Sequence, residues 1–227
     1  MTQKTFRKIQ SFVRREGRMT PSQTRALDEL WSTYGLNLDD GLLNVESLFG
    51  EKKPLVLEIG FGMGEGLLQY AQQEPDKLFI GIEVHRPGVG SLLNNAAKAS
   101  VNNLRVFKED AIEVLTRCIP DASLSRLQLF FPDPWHKKRH HKRRIVSPAF
   151  LALVAQKLQV DGVLHMATDW ANYAEHMLEV TKACDQFENL SASHDYIARP
   201  DSRPLTKFEQ RGLRLGHKVF DLQFAKK

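Results

Sequence analysis

Cysteine is almost missing from the chain: Cys118 and Cys184 are the only two in 227 residues. Two thiols make neither a disulfide framework nor a zinc site. No apolar run approaches the roughly 18 residues of a membrane span, so no membrane partner is expected. There is no internal repeat and no low-complexity segment, which leaves out solenoids and biased linkers. His85, His165, His176, His194 and His217 are scattered, and no spacing among them argues for a metal. What remains is 42% hydrophobic, an ordinary value for a soluble globule. The length suits one α/β domain with a tail. Cytoplasmic location is the default, although an Arg-rich, acid-poor N-terminus is also a mark of organellar transit peptides.

Positive charge is concentrated in two segments. Residues 136–144 (HKKRHHKRR) hold six Lys/Arg and no acid. Residues 1–20 hold Lys4, Arg7, Lys8, Arg14, Arg15 and Arg18 against Glu16 alone. Removing those twelve cations and one acid from totals of 32 and 27 leaves 20 basic and 26 acidic residues, a net of −6. Two cationic segments on an acidic body suit binding to a phosphate backbone better than they suit general solubility. We read residues 1–20 as a flexible basic arm, with Phe6, Phe12 and Val13 available to dock, and residues 21–227 as a single domain.

From Pro54 the text alternates in the α/β manner. Strands read at 55–59, 78–84, 103–107, 126–131 and 162–168, then near 187–194 and 217–224. One helix reads from Pro21 to about Tyr34. Others read near 64–74, 87–99, 111–118, 147–158 and 171–184, with a short one after Thr206. Strands apolar on both faces and separated by helices predict a mostly parallel sheet covered on both sides.

Two familiar fingerprints are lacking at the first strand. Glu58-Ile-Gly60-Phe-Gly62-Met-Gly64-Glu-Gly66 runs from a strand end through a glycine turn into a helix, where a ligand can approach the backbone. The third glycine of a dinucleotide motif falls on Glu65, and no Gly-Lys-Ser/Thr follows. Instead three acids stand at successive strand ends: Glu58, Glu83 and Asp110. This resembles the class I S-adenosylmethionine-dependent methyltransferases. The resemblance implies a Rossmann-like, mostly parallel seven-stranded sheet with helices on both faces and an antiparallel last strand. It also implies S-adenosyl-L-methionine as cofactor, held by Glu58, Gly60, Gly62, Gly64, Glu83, Asp110 and Ala111.

The fourth strand ends in Phe131-Pro-Asp133-Pro-Trp135, where two prolines fix the backbone around Asp133 and remove two ladder donors. An acid at a strand end, an aromatic ring and a cationic run form a site for a polyanion. The stretch 131–140, with Ser11–Thr20, Arg203–Gly212 and Gly216-His217, is similar to the bacterial tRNA (guanine-N7-)-methyltransferases. That similarity runs from about residue 9 to the C-terminus. It implies methyl transfer to a guanine of the tRNA variable loop, with Asp133 catalytic and beside the cofactor. It implies substrate contacts from Lys137, Asp169, Thr206, Lys207, Phe208 and Glu209, and a grip on the tRNA backbone by Arg139, His140, His141, Lys142, Arg143 and Arg144. Either a monomer or a homodimer is compatible.

The chemistry agrees. Guanine N7 has a lone pair and no proton, so attack on a sulfonium methyl needs no general base. Such a site should lack a His–carboxylate dyad and present carboxylates around the base. Four residues read in two ways. Asp169 positions the base or caps the helix from Ala171. Thr206 and Glu209 form a capping box or meet the nucleoside, and a carboxylate suits guanine's N1–H and N2–H₂ donors. Trp135 stacks on a base or packs. A non-catalytic RNA-binding protein of the same fold is the alternative, which the intact acids disfavour.

Overall fold

The computed structural model describes residues 11–12 and 17–227, the Phe208 side chain excepted. Most of the expected basic arm, Phe6 and Val13 included, lies outside the described residues. The helix expected over 21–34 is two: α1 (Pro21–Glu29) and α2 (Trp31–Tyr34), which meet at Leu30. Thr20 caps α1 reciprocally, its hydroxyl accepting from Gln23 N and its N–H donating to Gln23 Oε1. There follow β1 (Gly35–Leu36) and α3 (Val45–Phe49), neither expected from the sequence.

The alternating unit then unfolds in order. It comprises β2 (Leu55–Ile59), α4 (Glu65–Gln73), β3 (Leu78–Ile82), α5 (Arg86–Lys98), β4 (Leu104–Phe107) and α6 (Ala111–Arg117). Next come β5 (Leu124–Phe130), α7 (Pro148–Lys157), β6 (Leu158–Thr168), α8 (Ala171–Lys182), β7 (Phe187–Asn189), α9 (Lys207–Arg214) and β8 (Phe220–Lys226).

Among the described residues the sheet has eight strands, not seven, in the order β1-β4-β3-β2-β5-β6-β8-β7. The extra member is the two-residue edge strand β1 beside β4. All pairings are parallel except those of β8, which runs antiparallel to both β6 and β7. β2 and β3 are buried at all five positions, as strands covered on both faces must be.

Alternation along the strands decides what reaches each face. Leu55, Leu57, Ile59, Leu127 and Leu129 join one core, with α6 and α7. Val56, Phe79 and Phe130 face the other, with α4 and α5. Glu58 and Gln128 share that second face with them. In register they form a continuous row: Gly81, Glu58, Gln128, His165 and Gln223 on five neighbouring strands. A buried polar row at the carboxyl ends of parallel strands is where an open α/β sheet places its ligand.

Candidate active site

The turn after β2 depends on backbone conformations that only glycine adopts without strain. Gly60, Gly62 and Gly64 have φ of 77°, 58° and 81°. A Cβ at Gly60 or Gly62 would meet nothing within 4 Å, so the loop keeps an open face for a ligand. Glu83, just past β3, holds the loop from behind. Its Oε2 accepts from Gly62 N at 2.8 Å, and its Oε1 accepts from Val84 N and His85 N at 2.7 and 2.9 Å.

Two cavities meet here. One, of about 390 Å³, runs along Gly60–Gly66 and reaches Glu58, Tyr70, Arg203, Thr206 and Lys207. The other, of about 230 Å³, is lined by Glu83, Val84, Glu109, Ala111, Asp133 and by Ser11 and Phe12. Gly60, Phe130 and Phe131 belong to both walls. Glu58 sits deep in the larger one, 5% exposed, with no partner for Oε2. Burial is the chief reason its carboxyl is pushed up to about 8; Arg126 opposes weakly and Glu83 reinforces. Arg126 is already engaged, donating to both oxygens of Glu74 at 3.0 Å. Gln128, next to Glu58 in register, also leaves both amide atoms unpartnered in the interior.

The proline corner is strained on both flanks. Phe131 and Trp135 take positive φ, 49° and 50°, which costs an L residue on the order of 1 kcal/mol or more each. Phe131 N is anchored to Ala167 O at 2.7 Å, across to β6. Asp133 itself is exposed. Its Oδ1 accepts from Trp135 N at 3.0 Å, which leaves the carboxylate other lone pairs at the cavity wall.

Beyond it, Lys138–Arg143 wind as a 3-10 helix that displays the cations. Lys137, Lys138, Arg139 and Lys142 are exposed. Arg143 lies over the Trp135 ring, 4.9 Å from its centre, and Trp135 Nε1 donates to Ser11 O at 3.2 Å, so this Trp is packed. Arg144 departs from expectation. It is 6% exposed and donates to Pro134 O and Asn172 Oδ1 at 3.0 and 2.8 Å, over the Tyr173 ring. Its charge braces the corner and has no surface to offer a phosphate. His140 and His141 also fall short as cations: partial desolvation, then neighbouring Arg and Lys, lowers both pKa values.

Behind the larger cavity lies a charged cluster formed at long range. Arg203, 1% exposed, donates to Glu209 Oε2 and Oε1 at 2.7 and 2.6 Å and to Asp221 Oδ2 at 3.0 Å. Asp221 Oδ1 lies 2.9 Å from His165 Nε2. A His–carboxylate pair therefore exists, contrary to expectation. It is sealed in the sheet, and desolvation lowers the His165 pKa despite Asp221. It is a brace between β6 and β8, away from solvent protons.

Comparison with known proteins decides what this geometry belongs to. The family model described as "Putative methyltransferase" matches residues 52–222. A tRNA (guanine-N(7)-)-methyltransferase of Pseudoalteromonas atlantica (strain T6c / ATCC BAA-1087) is 60% identical over 97% of this chain and 92% of its own length. One of Alcanivorax borkumensis is 59% identical over 100% and 95%. The chain belongs to the tRNA (guanine-N(7)-)-methyltransferase family. Among solved structures, the 16S rRNA methyltransferase KamB superposes with a TM-score of 0.60 over 82% of this chain and 95% of that one. At 16% identity, that likeness concerns the fold alone.

Within this methyltransferase the expected site residues fall into three groups. Glu58, the three glycines, Glu83, Ala111, Asp133, Thr206 and Lys207 line the paired cavities or hold their loop. Asp110 is set back: its Oδ1 caps α6 through Ile112 N at 2.8 Å, and Glu109 takes the cavity wall. Asp169 is not the cap of α8, a position held by Trp170 without a side-chain bond; its Oδ2 lies 3.5 Å from His217 Nδ1.

The capping box at α9 is half formed. Thr206 Oγ1 accepts from Glu209 N at 3.3 Å, but the Glu209 carboxylate faces Arg203. Lys207 Nζ is paired with Glu65 Oε1 at 2.6 Å on the cavity rim. Arg203, Tyr70, Gln128 and Glu109 are the residues sequence reasoning passed over. Arg203 stood in the Arg203–Gly212 stretch; the others carried no local signal. Among the described residues, no group of three or more His, Cys, Asp or Glu is placed to hold a metal, and no helix is long and apolar enough to cross a membrane.

Proposed function

We infer that this chain transfers a methyl group from S-adenosyl-L-methionine to N7 of a guanine in tRNA, in the variable loop, and works in the cytoplasm as one domain over residues 21–227. The observation that carries this reading is the junction of the two cavities at Gly60 and Phe131, with Asp133 on its wall and the cations of Lys137–Arg143 alongside. Relatives about 60% identical bear the name of that activity.

The donor set fits the cofactor. Glu58 offers an orphaned buried oxygen to an ammonium, and Glu83 offers its remaining lone pairs to ribose hydroxyls. The wall of Glu109 and Ala111 suits adenine. A cofactor of this kind supplies an activated methyl on sulfur. With that group bound, guanine N7, which has a lone pair and no proton, would accept the methyl and its ring would gain positive charge. No proton leaves N7, so what the protein must supply is position and electrostatic stabilisation. Asp133, held by two prolines and by Trp135 N, is the carboxylate that orients the guanine and stabilises that charge. Arg203 holds the start of α9 so that Thr206 and Lys207 stand at the cavity.

The test is incubation of the protein and methyl-labelled cofactor with bulk tRNA lacking the modification. Label recovered as 7-methylguanosine supports the reading. Cofactor binding with no label in tRNA rejects it in favour of a non-catalytic RNA-binding role.

A further inference from the structure

Trp170 is a large aromatic left 41% exposed at the carboxyl edge of the sheet. It precedes α8 as its N-cap yet contributes no side-chain bond to the helix. Its backbone N–H is held by Thr168 Oγ1 at 3.2 Å, and β6 at Ala167 is tied to Phe131 at the catalytic corner. The His136 ring, exposed and three residues beyond Asp133, meets the indole edge-on at 4.3 Å and 74°. On one side lies Asp169, paired with His217 against Gly212 of α9. On the other, through His136, begins the run Lys137–Arg143. An RNA strand gripped by those cations and feeding a base to Asp133 therefore has this ring beside its path.

We propose that Trp170, set by His136, is a stacking platform for an unpaired base next to the target guanosine. Aromatic faces beside a cationic track are how proteins hold unstacked RNA bases. The charge around the ring favours a polyanion, so a protein partner is the outcome the test must separate. The proposal rests on tRNA being the substrate. A stacked base is worth about 1–3 kcal/mol, which corresponds to roughly fivefold to more than a hundredfold in affinity.

Trp170→Ala should raise KM for tRNA at least fivefold, with the effect in KM rather than kcat. Trp170→Phe should restore most of the loss, whereas Trp170→Leu, which keeps apolar bulk without a π-face, should not. The salt slope of tRNA binding should be unchanged in all three, because no phosphate contact is lost. Rescue by Leu as complete as by Phe, or an unchanged KM in the Ala variant, overturns the proposal. A protein keeping Trp170 as its only tryptophan (Trp31→Phe, Trp135→Phe) provides the second reading. Its fluorescence should be quenched by unmodified tRNA, and no quenching at saturating tRNA overturns the platform. Wild-type protein that binds no tRNA at all would instead overturn the substrate assignment.

Discussion

Replacing Glu58 with Gln tests whether its buried carboxyl is a protonated residue waiting for a cation. The side chain is 5% exposed, has an unpartnered oxygen, and titrates near 8 because burial penalises its charge. In the unfolded chain the same group titrates at about 4.3. Between those values the folded protein holds a proton that the unfolded chain has released. Stability must therefore fall as pH rises through that window. At 1.36 kcal/mol per unit the full swing is about 5 kcal/mol.

Gln is neutral throughout, so Glu58→Gln should lose this slope. Its stability relative to the parent should rise by about 3–4 kcal/mol between pH 5 and pH 8, a swing of roughly 6–16 °C in Tm for a domain of this size. Thermal or urea unfolding of both proteins at four pH values reads this directly. Saturating S-adenosylmethionine should flatten the parent's slope as well, and its binding at pH 7 should release close to one proton, measurable by calorimetry in two buffers. Parallel stability–pH curves, or proton-neutral binding, would refute the role given to Glu58.

Other consequences follow from the same geometry. Asp133→Ala should abolish turnover while leaving cofactor affinity within a few-fold; turnover above a tenth of the parent's would remove Asp133 from the chemistry. Neutralising Arg139, Lys142 and Arg143 together should raise KM for tRNA far more than it lowers kcat. The same change should reduce the salt slope by about two to three, since each phosphate contact contributes slightly less than one. Arg144→Ala should act differently, lowering Tm with little change in that slope, because Arg144 braces Pro134 and Asn172. Arg203→Met should cost about 3–5 kcal/mol, since it strands Glu209 and Asp221 as buried charges. Equal stability of that variant in urea would contradict the bracing role.

Much of this was legible because the informative signals were local. The five central strands are apolar runs bounded by turn residues, and Pro132 and Pro134 mark the corner that holds Asp133. What escaped was either too short or too distant. β1 has two residues, a single period of alternation, while β7, expected near 187–194, is confined to the first three of those positions. β6 starts at Leu158, ahead of the expected 162, because a register shift opposite Leu124/Arg126 absorbs the extra residues. The break at Leu30 has neither proline nor glycine to announce it.

In the site, Asp110 and Glu109 are adjacent acids, and only capping geometry shows which one is left for the cavity. Arg144 ends a cationic run in the sequence, yet the chain turns it inward onto Tyr173. Arg203 finds Glu209 and Asp221, six and eighteen positions away, through the packing of α9 and β8. No local pattern encodes that.

The central claim is that the Asp133 corner delivers a methyl to guanine N7 on folded tRNA. It is tested most directly by treating unmodified tRNA with the protein and cofactor, then cleaving the RNA chemically at 7-methylguanosine and mapping the break. One cleavage site in the variable loop, present with the parent protein and missing with Asp133→Ala, is the result expected. Methyl incorporation without cleavage, or the same cleavage with Asp133→Ala, would contradict it.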